Sequence, residues 1–325
     1  MRESDQAVTR RGTCPVCGLG CHVEIGVRDE RPVRIKKDPH SFHPATCPRS
    51  ASALDYHDHP GRLNHPLKRT GHRGEGGWQQ IPWEQAIEEI AAKLGRIRDD
   101  YGPEAVLILG GSVHGASDAA AWRWCNLWGT PNYIHQGKNC GEAEDLAEWS
   151  VYGNIGAPGT TPIPGLTKVA IMWGLNVRSS WTKMLWDQFL AAKERGTKLV
   201  AVDPRRSESA EKADLWVRLR PGTDGALAYG MLNAIIEEGL YDKEFVERWC
   251  TGFDELAARV KPYTPEKVAE ISWVPVATIL EVARLYASGK PSLLSWGLGN
   301  SLLGKGTLSA VLGKCFLRAI TGNLD

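Results

Sequence analysis

The sequence predicts an α/β chain: a small cysteine-bearing N-terminal domain, then parallel sheets covered by helices. Two patterns carry this. From about residue 145, short apolar runs of strand character alternate with longer helical stretches, as expected for parallel strands buried on both faces. Near the N-terminus, Cys14, Cys17 and Cys21 fall within eight residues and a fourth cysteine stands at Cys47. Ligand chemistry is sought there first.

Taken in order, residues 1–13 read as a short polar lead-in. Residues 23–27 and 33–35 alternate like half-buried strands, with 29–32 as their turn. The Pro-, His- and Gly-rich stretch 56–77 reads as irregular surface connection. Residues 83–100 form a helix with Ala86, Ile87, Ile90, Ala91 and Leu94 on one stripe. A strand at 105–109, a helix at 116–128 and a turn at 129–132 follow. Beyond them, strands 168–173, 198–203, 215–219 and 292–296 alternate with helices 181–195, 225–238, 243–250 and 276–287.

With 325 residues, 42% hydrophobic and 24% charged, the chain can bury a substantial core in more than one domain. A net charge of +1 lacks the basic excess of a nucleic-acid binder. No apolar run approaches the ~18 residues of a membrane span. Arg10-Arg11 has no apolar segment before Cys14 to make an export signal, so the expected location is cytoplasmic. Eight unevenly placed cysteines do not make a disulfide scaffold.

The motif Cys14-x2-Cys17-x3-Cys21-x25-Cys47-Pro48 is the first with chemistry. Three cysteines on one loop can take three corners of an iron–sulfur cubane, and a distant fourth closes it. Tetrahedral zinc is the rival, but its structural sites use paired knuckles, whereas here three cysteines stand together and one alone. A [4Fe–4S] cluster is the expectation.

Read with downstream segments, the chain resembles the molybdenum and tungsten oxidoreductases of dimethyl sulfoxide reductase type, which use two pyranopterin guanine dinucleotides. The matching stretches are CPVCGLGC, CPRSASALDYHDHPGRLNHPLKR, WEQAIEEIAAKL, VDPRRSESAEKADLWVRLRPGTDGALA, LYDKEFVERWCTGF and LRAITGNLD. They run from residue 14 to 325, and their order and spacing carry the specificity. The resemblance implies an iron–sulfur domain over 1–65 and a first part of an α/β domain over 66–135. It implies a Rossmann-like dinucleotide-binding domain over 136–325, the whole truncated relative to the family. The implied cofactors are a [4Fe–4S] cluster and a bis(molybdopterin guanine dinucleotide) carrying molybdenum or tungsten.

By the same resemblance Cys140 falls where the family places the side chain that ligates the metal. From residues alone it reads equally as a buried free cysteine. Cys125, Cys250 and Cys315 read as packing residues on apolar helical stripes. Arg49 falls where the family carries a cation between cluster and nearer pterin; a solvated arginine is the alternative. Gly174, Asn176, Asp203, Arg205, Arg206, Gly222, Thr223 and Asp224 follow strands, where open α/β sheets bind ligands. The resemblance implies that they surround one guanine dinucleotide. Asp224 reads equally as a helix cap. His135, His114 and Lys138 are candidate pocket groups, with histidine able to exchange protons near neutral pH.

Two departures narrow the implied chemistry. Formate dehydrogenases carry histidine directly after the metal-ligating residue, and this chain has Gly141. Acetylene hydratase, similar from residue 198 to 271, works with an aspartate directly after its second cluster cysteine, and this chain has Gly18. Two-electron redox or oxygen- or sulfur-atom transfer is therefore expected. A non-redox hydratase and an electron-transfer subunit without metal–pterin are the alternatives. Family enzymes continue beyond the segment matched by 317–325. Either a second polypeptide supplies the remainder or these 325 residues are a fragment; the expected partners are a companion polypeptide with the remaining domains, an electron-transfer subunit and a small-molecule substrate, without nucleic acid or membrane span.

Overall fold

The computed structural model describes residues 7–14, 16, 20–41, 47–111, 116–135, 140–153, 160–180, 183–302 and 306–324. The chain divides into two compact units, Met1–Gln136 and Gly137–Asp325.

In the first unit, β1 (Val8–Thr13), β2 (His22–Arg28) and β3 (Arg31–Lys37) form an antiparallel sheet in that order. The described end of the expected polar lead-in is thus a strand, with Thr13 opposite His22 and Arg10 opposite Ile25. Its side chains are mostly exposed, so it carries no buried alternation for the sequence to reveal. The turn between β2 and β3 is tighter than expected. Asp29 and Glu30 take left-handed φ of 49° and 60°, and Pro32 already lies within β3.

Two short helices follow, α1 (Pro48–Ala51) and α2 (Ala53–His57). The segment expected to be irregular contains β4 (Leu67–Arg69), paired antiparallel with β5 (Trp78–Gln80). Next comes α3 (Trp83–Tyr101), close to its expected bounds. No residue of α3 is buried, and Trp83, Ile87 and Ile90 of its apolar face are exposed. The strand expected at 105–109 shrinks to β6 (Ile108–Leu109) because Pro103–Ala105 makes a 3-10 turn. α4 (Ala116–Trp128) then connects β6 to a parallel β7 (Tyr133–Ile134).

The second unit opens with α5 (Glu142–Tyr152), followed by β8 (Val169–Trp173), α6 (Val177–Ser180) and α7 (Lys183–Glu194). Then come β9 (Lys198–Val202), α8 (Glu208–Lys212), β10 (Leu215–Val217) and α9 (Asp224–Glu237). A run of helices follows: α10 (Lys243–Trp249), α11 (Phe253–Val260), α12 (Pro265–Ser272) and α13 (Val276–Ser288). The unit closes with β11 (Ser292–Trp296), α14 (Gly299–Leu302) and α15 (Thr307–Ile320).

The four strands form one parallel sheet in the order β10-β9-β8-β11. Every residue of β8 is buried, which explains its unbroken apolar run. Successive side chains enter opposite layers. Val169, Ile171 and Trp173 join Val200 and Val202 against Leu227, Ile235, Ile279 and Tyr286. Ala170 and Met172 join Leu199 and Ala201 against Trp186, Phe189 and Ala210. Burying those two layers is the main drive for this unit. No helix among the described residues is long and apolar enough to cross a membrane.

Candidate functional site

The chain leaves β8 toward β9 and β10 on one side, and β11 returns on the other. By topology such a reversal marks the crevice, beyond the carboxyl ends of β8 and β11, where doubly wound sheets bind ligands. The loops there approach closely. Gly174 sits at φ 58° after β8, and Gly297 after β11 donates its N–H to Trp173 O at 2.9 Å. A Cβ on Gly297 would collide with the Gly174 carbonyl oxygen. Asn300 Nδ2 fixes both loops, donating to Trp173 O (2.8 Å) and Gly297 O (2.9 Å).

The residues expected around a dinucleotide divide by what they are free to do. Asn176 is buried, and its amide is engaged within the protein. Nδ2 donates to Ser179 Oγ (2.8 Å) and Glu208 Oε2 (2.6 Å), and Oδ1 accepts from Ser209 Oγ (2.9 Å). It shapes the loop and has no side-chain group left for a ligand. Asp203 is half-buried after β9, and its Oδ1 accepts the Arg205 N–H at 2.8 Å. Burial pushes its carboxyl above the usual range, Asp224 adds to the rise, and Arg205 opposes it. Arg205 and Arg206 are exposed, the latter 6.0 Å over the Trp216 ring. Two carboxylates and two cations therefore gather at the ends of β9 and β10.

Of the two readings of Asp224, the cap fails. Thr223 holds the N-cap position of α9, its hydroxyl turned to Arg220 O at 2.6 Å, and Gly222 precedes it. Asp224 instead accepts the Trp173 indole N–H through Oδ1 at 2.8 Å. Its side chain makes no other hydrogen bond among the described residues. Paired carboxylates of this kind suit a ligand bearing adjacent N–H donors.

Cys140 is half-buried, two residues before α5. The helix after it opens with Glu142, Glu144 and Asp145 in its first turn. Burial raises the Asp145 carboxyl, and Glu148 and Glu142 raise it further. His135, of the first unit, has its ring 6.1 Å from that of Tyr133. His114, Lys138, Cys17 and Gly18 lie outside the described residues.

At the N-terminal sheet the Cys14 N–H donates to Cys21 O at 2.7 Å, and both cysteines are buried with Val23. Cys47 occupies the N-cap position of α1. Burial would raise its thiol, but the Ser50 and Arg49 backbone N–H groups and the Arg49 guanidinium outweigh that and hold it below the ordinary value. N–H groups and a cation directed at sulfur favour a thiolate, the form that binds iron. Among the described residues no three His, Cys, Asp or Glu groups could hold one metal ion. A cubane does not require that, because each of its irons takes its own cysteine. Cys125 and Cys315 are buried, as expected. Cys250 is half-buried at the end of α10.

The sequence did not single out Trp173, Trp296 or Lys314. Trp173 binds Asp224, and Lys314 lies against the rings of both tryptophans. One signal was present: a lysine in the otherwise apolar stretch Ala310–Leu317 of α15.

A family model described as molybdopterin oxidoreductase matches residues 62–318, and one described as the molybdopterin oxidoreductase Fe4S4 domain matches residues 8–59. Acetylene hydratase of Syntrophotalea acetylenica is 36% identical over 95% of this chain and 43% of its own length. The molybdopterin-containing subunit of thiosulfate reductase from Salmonella typhimurium is 34% identical over 86% of this chain and 36% of its own. The solved structure of acetylene hydratase from Pelobacter acetylenicus superposes with a TM-score of 0.81 at 35% identity. It covers 97% of this chain and 44% of that one. The chain thus spans less than half the length of these relatives.

Proposed function

We propose that this chain, which belongs to the molybdopterin oxidoreductase family, forms the N-terminal part of a molybdenum- or tungsten-pterin catalytic subunit. The reaction proposed is two-electron redox or oxygen- or sulfur-atom transfer. The family's two N-terminal modules are present, so the chain takes a molybdopterin and a 4Fe–4S cluster. The bound metal–pterin supplies the electron chemistry, while the protein binds, orients and insulates.

One observation carries the reading. At the ends of β9 and β10, on one side of the reversal in strand order, Asp203 and Asp224 present carboxylates beside Arg205 and Arg206. In our reading the carboxylates accept guanine N–H donors and the arginines face phosphate. Gly174, Asn176, Gly222 and Thr223 shape the loops between them. Cys14, Cys17, Cys21 and Cys47 hold the cluster, Cys140 ligates the metal, and Arg49 stands between cluster and pterin. His135 is the pocket group able to exchange protons near neutral pH. The division into 1–65, 66–135 and 136–325 belongs to the same reading.

The proposed partners are a companion polypeptide and an electron-transfer subunit that would exchange electrons through the cluster. The exposed apolar face of α3 supports a partner. We place the protein in the cytoplasm; Arg10 and Arg11 are built into β1 opposite Ile25 and Glu24, unlike an arginine pair in an export leader.

The test is elemental analysis with cofactor extraction from the natively purified complex. Iron, molybdenum or tungsten, and a guanine nucleotide are expected. Iron without either heavier metal would sink the catalytic reading in favour of an electron-transfer subunit. The similarity to acetylene hydratase favours hydration as a second reading, against which Gly18 stands where that enzyme has its acid. Acetylene consumption without an added oxidant or reductant would establish the hydratase; dye-linked turnover would establish the oxidoreductase.

A further inference from the structure

We propose that Lys314 is a positioning residue for nucleotide recognition: its buried ammonium, seated against Trp173 and Trp296, sets the Asp224 carboxylate to select guanine. The inference rests on the cofactor reading above and concerns a residue lying behind the carboxylates named there.

Lys314 lies on α15 and has no solvent exposure. Its Nζ has no hydrogen-bond partner among the described residues. An ammonium in that state is costly, and an apolar side chain of similar length would fill the space without the cost. What surrounds it is specific. Nζ is 5.6 Å from the Trp173 ring centroid and 5.1 Å from that of Trp296. The two tryptophans are paired neighbours at the carboxyl ends of β8 and β11. The cation therefore sits at the reversal in strand order, beneath the crevice.

Trp173 connects the cation to the recognition residue. Its ring lies within cation–π range of Lys314, while its edge N–H donates to Asp224 Oδ1. Among the carboxylates acting on Lys314, Asp224 acts most strongly and Glu144 of α5 next. On its own helix the opposing charge is Arg318, which is bound to Glu148. Lys314 is thus a positive charge oriented by two rings and answered chiefly by Asp224. With Oδ1 fixed, Oδ2 is left for a ligand N–H. Guanine offers N1–H and the 2-amino group to a carboxylate. Adenine offers an N1 lone pair, which a carboxylate repels. Selection through a buried hydrogen-bonding group discriminates strongly.

The experiment is calorimetric titration of the 325-residue chain with GDP and with ADP at about pH 6, on the acid side of the value to which burial lowers Lys314. Wild type, K314M, D224N and the double variant are compared. Wild type is expected to prefer GDP at least tenfold. K314M is expected to melt as a folded protein, to lose about tenfold for GDP and to bind ADP as before. D224N should lose the same preference, and the double variant no more than either single one. If K314M does not fold, W173F replaces it: it keeps a ring beside Lys314 and removes the N–H that fixes Asp224, so it too should lose the preference. A GDP preference intact in K314M, or in W173F when that stands in, overturns the proposal. So does an equal loss for GDP and ADP, which would mean packing alone. A wild-type chain with no preference for GDP would instead remove the cofactor reading underneath, and this inference with it.

Discussion

Arg318 donates through Nη1 to Glu148 Oε1 at 2.7 Å, and both side chains are buried. The pair ties α15 to α5, while Arg318 Nη2 donates to Leu294 O at 2.6 Å and the guanidinium lies 4.0 Å from the Trp296 ring centroid. The contact joins the helix after Cys140 to the strand end that carries Trp296. Changing Glu148→Gln removes a buried carboxylate from the Arg318 guanidinium and should cost about 3–5 kcal/mol. The double change Glu148→Met, Arg318→Met should recover most of that loss. Urea melts of wild type and the two variants check it, and a Glu148→Gln variant as stable as wild type would refute the coupling.

The crevice glycine gives a second expectation. A methyl at Gly297 meets the Gly174 carbonyl, which is backbone and can move only with the strand end. Gly297→Ala should therefore destabilise by about 1–3 kcal/mol and weaken guanine-nucleotide binding. Gly95 in α3 is the contrast, since a Cβ there meets nothing within 4 Å. Gly95→Ala should stabilise by about 0.5–1 kcal/mol through helix propensity. Thermal melts of the two variants moving in the same direction would contradict this geometry.

What could be read in advance follows from how each feature is encoded. The strands of the second unit were legible because burial on both faces demands the unbroken runs of β8 and β9. The placing of the candidate residues at their ends followed from topology, since parallel strands point their carboxyl ends one way. β1 was not legible: it is mostly exposed, and its hydrogen bonds to β2 leave no trace in side-chain pattern. The structural employment of Asn176 was hidden too, because its partners Glu208 and Ser209 come from α8, 32 and 33 residues further along the chain. Nor could sequence decide Asp224, whose partner Trp173 lies 51 residues away.

On the proposed function the cysteines fall into a cluster set and a separate metal ligand, which can be tested apart. Cys14→Ser, Cys21→Ser or Cys47→Ser should lower iron content and bleach the visible absorption of the cluster. Cys140→Ala should leave both intact and abolish turnover of the assembled complex. Zinc at stoichiometric level without iron would refute the cluster assignment. Unchanged turnover in Cys140→Ala would remove that residue from the metal site.

The last expectation concerns pH and the same buried lysine. Burial pushes the Lys314 ammonium down from 10.5 to about 7, with Asp224 on α9 and Glu144 on α5 raising it and Arg318 on α15 lowering it. Below that value folded and unfolded chains both carry the proton, so the full burial penalty is present. Above it the unfolded lysine stays charged while the folded one is neutral, and the unfolded state binds more protons. Stability therefore rises with pH, by at most about 1.4 kcal/mol per unit for one proton. The rise is readable only up to about pH 9. From there Cys315, pushed up from 9.0 to about 11 by burial, works the other way, because its unfolded thiol ionises and its folded one does not. Tyr152 and Tyr286, both raised by burial, add to that fall at still higher pH. K314M should accordingly exceed wild type in stability near pH 6, with the gap narrowing toward pH 9. Urea midpoints across that range measure it, and two parallel curves would mean that Lys314 keeps an ordinary pKa in the fold.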